Sequence, residues 1–198
     1  MYPYLNLGHN ILLPLYNLFF GFGLVFGLVY LDNQIRLRKI KFRTDRNIYF
    51  SLIVSILLGF LGAKIFDLIF LGKDINLHNL YSGGITFMGG VITAGIIFFL
   101  INLLLRTNNL LAFNLLTPSL IVSHFLGRIG CFFGGCCYGK TTNLMIGVKY
   151  PATSTASMKL GINTYSHPTQ LYEAIFLIMF FIVIEKYSLF ENKIFVYL

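Results

Sequence analysis

Residues 123–131 concentrate side chains that could bind an anion or move a proton. In a helix, His124, Arg128 and Cys131 fall at positions i, i+4 and i+7, which places them on one polar stripe. A planar, permanently charged guanidinium can hold a phosphate through two parallel hydrogen bonds. We therefore interpret Arg128 as a candidate phosphate ligand. The alternative is an arginine whose long side chain simply extends along an apolar surface to reach water.

The cysteines lie directly after this stripe, in the sequence GCFFGGCCYGK at 130–140. So many glycines predict that the helix ends here in a tight loop, whose backbone N–H groups could approach an anion. Thiols beside Arg128 and Lys140 could form thiolates, and with His124 they could supply four metal ligands. The C-x4-C-C spacing matches no common zinc pattern, so we expect no metal. A disulfide or redox role and packing as buried thiols are the other interpretations.

A second polar cluster, SHPTQLYE, occupies 166–173 just before an apolar run. Pro168 is typical of a helix start, and Glu173 in the first turn suits the positive end of the helix dipole. This many polar groups entering an apolar segment also indicate a site. Both interpretations of the cluster stay open.

The composition predicts a membrane protein. Hydrophobic residues make up 57% of the 198 residues and charged residues 11%, against about 25% charged in ordinary soluble domains. This excludes a soluble globular enzyme. About 20 apolar residues cross a bilayer as a helix, so the fold class is an all-α, polytopic integral membrane helix bundle, a single membrane domain over 1–198. The predicted spans are 11–31, 48–71, 85–105, 110–129 with Pro118 inside it, and 170–184.

The net charge of +8 is explained by orientation in the membrane rather than by a nucleic-acid partner. Six cations lie between the first two spans, and the positive-inside bias places this loop in the cytoplasm; the alternative is a binding patch. The N-terminus and the segments 72–84 and 131–169 are then outside. We expect no cleavable signal, because the first span is long and lacks a small-residue cleavage pattern. The six cations are Arg36, Arg38, Lys39, Lys41, Arg43 and Arg46.

Small residues four apart predict close helix packing within the bundle. In the second predicted span, Lys64 and Asp67 are three apart on one face, and we expect them to form an ion pair. The small-residue pairs are Gly23 with Gly27, Gly59 with Ala63, and Gly90 with Ala94.

Three motifs in this order carry a family resemblance: SGGITFMGG at 82–90, GRIGCF at 127–132 and HPTQLYE at 167–173. Together they resemble the prolipoprotein diacylglyceryl transferases of bacterial plasma membranes. The likeness extends from the first helix to about Ile184.

The resemblance implies a multi-pass protein of the bacterial plasma (inner) membrane. It implies transfer of a diacylglyceryl group from phosphatidylglycerol to the thiol of a lipobox cysteine in a precursor protein, at the outer face and without a cofactor. Membrane lipid and the precursor are the expected partners, and nucleic acid is not. Arg128 matches the family's essential arginine in Gly-Arg-x-Gly, so we expect it to hold the lipid phosphate and stabilise charge on the leaving group.

This sequence departs from the family pattern at several positions. Met88 stands where the family has a histidine, and a thioether cannot accept a proton from a thiol, so His124 or His167 is the expected base. Cys131 and Cys136 replace the Asn and Glu that follow the arginine motif, and the final family helices with a second essential arginine are not found before Leu198. A non-catalytic phospholipid-binding paralogue and a thiol- or metal-based membrane protein are therefore the alternatives.

Two sets of site residues follow from these motifs. The expected catalytic residues are Arg128, His124, His167 and Glu173. The expected substrate-binding residues are Gly83, Gly84, Gly89, Gly90, Gly127, Gly130, Gln170 and Tyr172.

Overall fold

The computed structural model describes residues 4–6 and 12–191, so residue 11 of the first predicted span lies outside the described residues. The chain forms two compact units, the first from Met1–Gln34 and Leu116–Leu198 and the second from Ile35–Leu115. The helices are α1 (Leu15–Leu37), α2 (Phe42–Phe70), α3 (Leu77–Ser82), α4 (Phe87–Leu104), α5 (Asn109–Gly134), α6 (Thr155–Leu160) and α7 (Thr169–Glu191). Strands β1 (Tyr4–Asn6) and β2 (Leu12–Pro14) pair antiparallel, as do β3 (Val148–Lys149) and β4 (Tyr165–Ser166).

The all-α membrane fold is confirmed. Within the described residues, α1, α2, α4 and α5 are long and apolar enough to cross a membrane, and they overlap the first four predicted spans. The segment 170–184 is helical within α7. Five crossings and an outside N-terminus stay predictions.

Large apolar side chains remain exposed on the helices. Val25 on α1, Leu57 on α2 and Ile96 on α4 are 58%, 66% and 55% exposed. Soluble monomers rarely expose apolar surface on this scale. These faces therefore suit contact with lipid tails.

The predicted helix end before the glycine-rich run was wrong, because α5 continues to Gly134. A Cβ on Gly130 would lie 3.0 Å from Phe19 Cβ, and one on Gly134 would lie 3.4 Å from Tyr16 Cβ. These glycines therefore let α1 and α5 approach closely instead of ending the helix. The chain leaves the helix at Gly135, whose φ of +63° is the left-handed conformation that favours glycine after a helix.

In the first unit, the predicted small-residue seam on α1 packs against α5. A Cβ on Gly23 would lie 2.7 Å from the Ser123 carbonyl oxygen, and one on Gly27 would lie 2.0 Å from Ser123 Oγ. Ser123 Oγ donates a hydrogen bond to the Gly23 carbonyl at 2.8 Å. Close approach thus allows a side chain of one helix to bond the backbone of the other.

In the second unit, the other two predicted small-residue pairs pack on each other. A Cβ on Gly59 would lie 2.8 Å from Ala94 Cβ, and one on Gly90 would lie 3.2 Å from Ala63 Cβ. This seam holds α2 against α4, and both predictions of close packing are confirmed.

The expected Lys64–Asp67 ion pair is absent from the described residues. Lys64 Nζ instead donates to the Leu80 carbonyl at 2.7 Å, and Asp67 Oδ1 accepts from Thr86 Oγ1 at 3.2 Å. Carbonyl groups at the end of a helix carry partial negative charge, which makes them suitable partners for an ammonium group. The two charges therefore fasten the connection between α2 and α4 at separate points.

Replacing Gly89 with alanine should destabilise the α2–α4 pair. The new Cβ would lie 2.3 Å from Phe66 Cβ, and overpacking of this kind costs about 1–3 kcal/mol. Unfolding in detergent micelles measures the effect. Gly95→Ala on the same helix is the control, because its Cβ meets nothing within 4 Å and should be neutral or slightly stabilising. Equal stability of the two variants would contradict the packing of α2 on α4.

Candidate active site

Arg128 lies between two other predicted site residues. Its Nη2 forms an ion pair with Glu173 Oε2 of α7 at 2.6 Å, and its Nε donates to His124 Nε2 at 3.1 Å. The Arg128 side chain is 18% exposed and that of Glu173 is 48% exposed. The stripe predicted on α5 therefore brings His124 and Arg128 into direct contact, with the arginine charge balanced from a second helix.

The loop after α5 pairs with the segment that leads into α7. The backbone N–H of Gly139 donates to the His167 carbonyl at 2.9 Å, and the His167 N–H donates to the Lys140 carbonyl at 3.0 Å. A Cβ on Gly139 would lie 2.9 Å from His167 Cβ. Glycine is thus required for this pairing, which joins the cysteine segment to the HPTQLYE segment.

Side chains from the first turn of α7 complete this connection. Thr169 Oγ1 donates to the Cys137 carbonyl at 2.7 Å, and Gln170 Nε2 donates to the Cys136 carbonyl. Gln170 is fully buried, so its amide has a structural role as a clamp on the loop.

The three cysteines lie together as free thiols. Their Sγ atoms are all within 4.8 Å of one another, with Cys131 on the last turn of α5 and Cys137 exposed. Hydrogen bonds from Cys131 and Cys136 lower the pKa of the Cys137 thiol, and the Arg128 charge lowers that pKa further. The thiol cluster and Arg128 are therefore electrostatically coupled.

An apolar cavity of about 270 Å³ lies along α5 and α7. Phe125 and Leu126 line it on α5, just before Arg128, while Leu177 and Ile178 line it on α7, one turn after Glu173. The lining thus begins within one turn of Arg128 on α5 and one turn after Glu173 on α7, although neither charged residue lines the cavity itself. The other lining residues are Phe26, Ile121, Val122 and Phe181.

The structure places the predicted glycines in different surroundings. A Cβ on Gly84 would lie 3.0 Å from Asp67 Oδ2, whereas one on Gly127 would meet nothing within 4 Å. Gly83, Gly89, Gly90 and Gly130 contact neighbouring helices or their own turn. The space beside Gly127 is therefore open, and substrate binding by this glycine stays a prediction. Substrate binding by the other glycines stays a prediction.

His167 and Tyr172 form a pair of their own at the start of α7. His167 Nδ1 lies 3.1 Å from the Tyr172 hydroxyl. Both side chains are accessible from the surface. Their predicted catalytic and binding roles remain predictions, as does that of His124.

A comparison with known families decides the ancestry. The family described as prolipoprotein diacylglyceryl transferase matches residues 4–197. The chain belongs to this family. It is 32% identical over 174 residues to the phosphatidylglycerol–prolipoprotein diacylglyceryl transferase of Clostridium tetani, covering 85% of this chain and 67% of that relative.

Other relatives carry the same printed name. The Ehrlichia canis transferase is 28% identical over 80% of this chain and 59% of its own length. The Clostridium perfringens transferase 2 is 31% identical over 67% of this chain and 52% of its own length. This diacylglyceryl transferase family member thus spans between about half and two thirds of the length of these relatives.

Tyr150 holds Gln170 in place at the site of this family member, but it lies in no sequence motif that would have predicted this role. It is 3% exposed, and its hydroxyl donates to Gln170 Oε1 at 3.0 Å. Burial raises the pKa of the Tyr150 hydroxyl, which keeps it protonated as a donor. Ser157 Oγ donates in turn to the Tyr150 carbonyl at 2.9 Å. Only the folding of 148–166 reveals this contact.

Tyr150→Phe should weaken the fold of the site. The change leaves the buried Gln170 Oε1 without its donor, which costs about 1–3 kcal/mol. Thermal unfolding in detergent, followed by circular dichroism, checks this. Tyr165→Phe is the control, because Tyr165 is 52% exposed and its loss should change stability by less than about 0.5 kcal/mol. If Tyr150→Phe and Tyr165→Phe both unfold at the same temperature as the unchanged protein, the hydrogen bond from Tyr150 to Gln170 does not stabilise the fold.

Proposed function

We propose that this chain transfers a diacylglyceryl group from phosphatidylglycerol to the cysteine thiol of a prolipoprotein. The observation that carries the proposal is Arg128, held between His124 and Glu173 within one turn of the residues of α5 that line an apolar cavity. A charged group beside an apolar cavity fits an amphipathic phospholipid. Membership of the transferase family supports the same substrate class.

In this proposal the lipid phosphate binds at Arg128 and one acyl chain enters the cavity. The guanidinium can offer two parallel N–H donors to a phosphate. Phe125 and Leu126 begin the apolar lining less than one turn from Arg128. Headgroup and chain would thus be bound by adjacent turns of the same helix.

The reaction we propose is a displacement at the glycerol carbon that carries the phosphate. The thiol sulfur forms a C–S bond to this carbon, the C–O bond to phosphate breaks, and glycerol phosphate leaves with the bonding electrons. Negative charge grows on the leaving phosphate, where Arg128 can stabilise it. The thiol proton must pass to a base.

The two histidines would then have different roles in the reaction. His124 Nε2 already accepts a hydrogen bond from Arg128, which suits it to orient the guanidinium. His167 lies at the start of α7 with its Nδ1 beside the Tyr172 hydroxyl. We assign the proton-accepting role to His167 and the orienting role to His124.

We place the reaction at the outer face of a bacterial inner membrane. The basic segment 36–46 supports a cytoplasmic position for the connection between α1 and α2. Three crossings counted from that position, by α2, α4 and α5, put the 131–169 segment outside. An acceptor with a lipobox cysteine would meet the site there.

Arg128→Ala should lower the transfer rate by about 100- to 1,000-fold, the loss typical when a charge-stabilising donor is removed. Arg128→Lys should retain part of the activity, because it keeps the charge and loses the planar fork. The assay measures by mass spectrometry the diacylglyceryl gain on a lipobox cysteine peptide, in bilayers that contain phosphatidylglycerol. Lys149→Ala removes a cation from β3 and is the matched control.

Full activity of Arg128→Ala would disprove the role of Arg128. Tight phosphatidylglycerol binding by the unchanged protein with no thioether product would instead favour the non-catalytic phospholipid-binding alternative. Met88 in place of the family's histidine is the observation behind that alternative.

Val122→Phe should change the preference for acyl chain length. Its larger side chain would fill part of the cavity, so transfer from long-chain phosphatidylglycerol should fall by about tenfold, with a smaller loss for short chains. Competition between the two lipids in one assay gives the ratio directly. Leu120→Phe on the exposed side of α5 is the control. An unchanged ratio in Val122→Phe would show that the cavity does not hold the acyl chain.

A further inference from the structure

The thiol cluster, formed by Cys131, Cys136 and Cys137, has the dimensions of a three-sulfur metal site. Zinc–thiolate bonds are about 2.3 Å long, so ligands in a tetrahedral site are about 3.8 Å apart. The three Sγ atoms already lie within 4.8 Å of one another. Movements of side chains by less than about 1 Å would close this difference, which is within the reach of ordinary χ1 adjustments.

The backbone holds the cluster in place before any ligand arrives. Gly135 and Cys137 have φ of +63° and +55°, which turn the chain back beneath the last turn of α5. Gln170 and Thr169 bind the carbonyls of Cys136 and Cys137. The three cysteines therefore lie together as possible ligands, although their spacing in the sequence fits no common zinc pattern.

The charges around the cluster also suit a metal ion. Three thiolates with a dication carry one net negative charge, and Arg128, one turn before Cys131 on α5, adds a positive charge to the surroundings although it also pairs with Glu173. Thiolate ligands select soft or borderline ions such as zinc. Three protein ligands leave the fourth position of a tetrahedral ion open, as in catalytic zinc sites.

We propose that Cys131, Cys136 and Cys137 bind a zinc-type divalent ion whose open fourth position takes the acceptor thiol. The second part of this statement rests on the proposed transferase function. The acceptor S–H would bind as a thiolate and its proton would pass to water or to His167. The thiolate then forms the C–S bond as the C–O bond breaks. An ion at this position supplies the activation that Met88 cannot, since a thioether accepts no proton from a thiol.

Cobalt(II) titration of the full chain in lipid nanodiscs tests the metal site. After reduction and removal of metal, the unchanged protein should bind one Co²⁺ and show the sulfur-to-cobalt charge-transfer and visible bands of a tetrahedral thiolate site. Added Zn²⁺ should abolish these bands. Cys137→Ser and Cys131→Ser should weaken binding by at least about 100-fold, a loss at the upper end for disturbed metal sites.

Met145→Ser is the matched control, because it removes a fully exposed sulfur from the same segment and should leave the cobalt spectrum unchanged. Absence of the bands in the unchanged protein would overturn the site. A mass lower by two hydrogens before reduction, with no bands after it, would show a disulfide pair instead. Metal analysis of the unchanged protein gives a readout that does not depend on the folding of any variant.

A pair of lipobox peptides tests the open position. A peptide with cysteine should shift the cobalt bands at one equivalent, whereas the same peptide with serine should not. An unchanged spectrum with the cysteine peptide would overturn the binding of the acceptor thiol. Since these spectra are recorded without phosphatidylglycerol, a missing transfer product beside a shifted spectrum would contradict the proposed function alone.

Discussion

The site is organised around a permanent positive charge on a membrane-spanning helix. An arginine within an apolar span is costly unless it is partnered, and Arg128 has His124 on its own helix and Glu173 on α7 as partners. The contact with His124 orients the guanidinium on α5, and the contact with Glu173 joins this face of α5 to α7. The apolar cavity and the start of α7 are in consequence held next to the charge. The need to pair Arg128 within the membrane thus also places the start of α7 next to α5 at the site.

Small residues make this arrangement possible. Gly130 allows α5 to pack closely on α1, and Gly135 then turns the chain away in a conformation that other residues disfavour. Gly139 lets the same loop lie against His167. The glycine-rich segment 130–140 therefore has two functions: its first part allows close helix packing, and its second part forms a tight return loop.

Much of the fold could be predicted because membrane helices follow simple rules. Apolar length gave the four helices, and spacing gave the contact of His124 with Arg128 and the small-residue seams. The end of α5 and the carbonyl partners of Lys64 could not be predicted, since both depend on which element packs nearby. The hydrogen bond from Tyr150 to Gln170 and the apolar cavity likewise form only when distant segments of the chain pack together. The proximity of the thiols was hidden because a left-handed turn at Gly135, and not a regular spacing, creates it.

The unequal exposure of the two partners of Arg128 indicates how a site built for stability can also accept a substrate. Glu173 is 48% exposed whereas Arg128 is 18% exposed, so water can solvate the carboxylate if it leaves the guanidinium. An incoming phosphate could therefore replace Glu173 at modest cost. His124 is bonded to the other side of the guanidinium, so the arginine would keep its orientation during such an exchange. The thiol cluster near the same guanidinium would then lie beside the bound phosphate, where the C–S bond of the proposed reaction has to form.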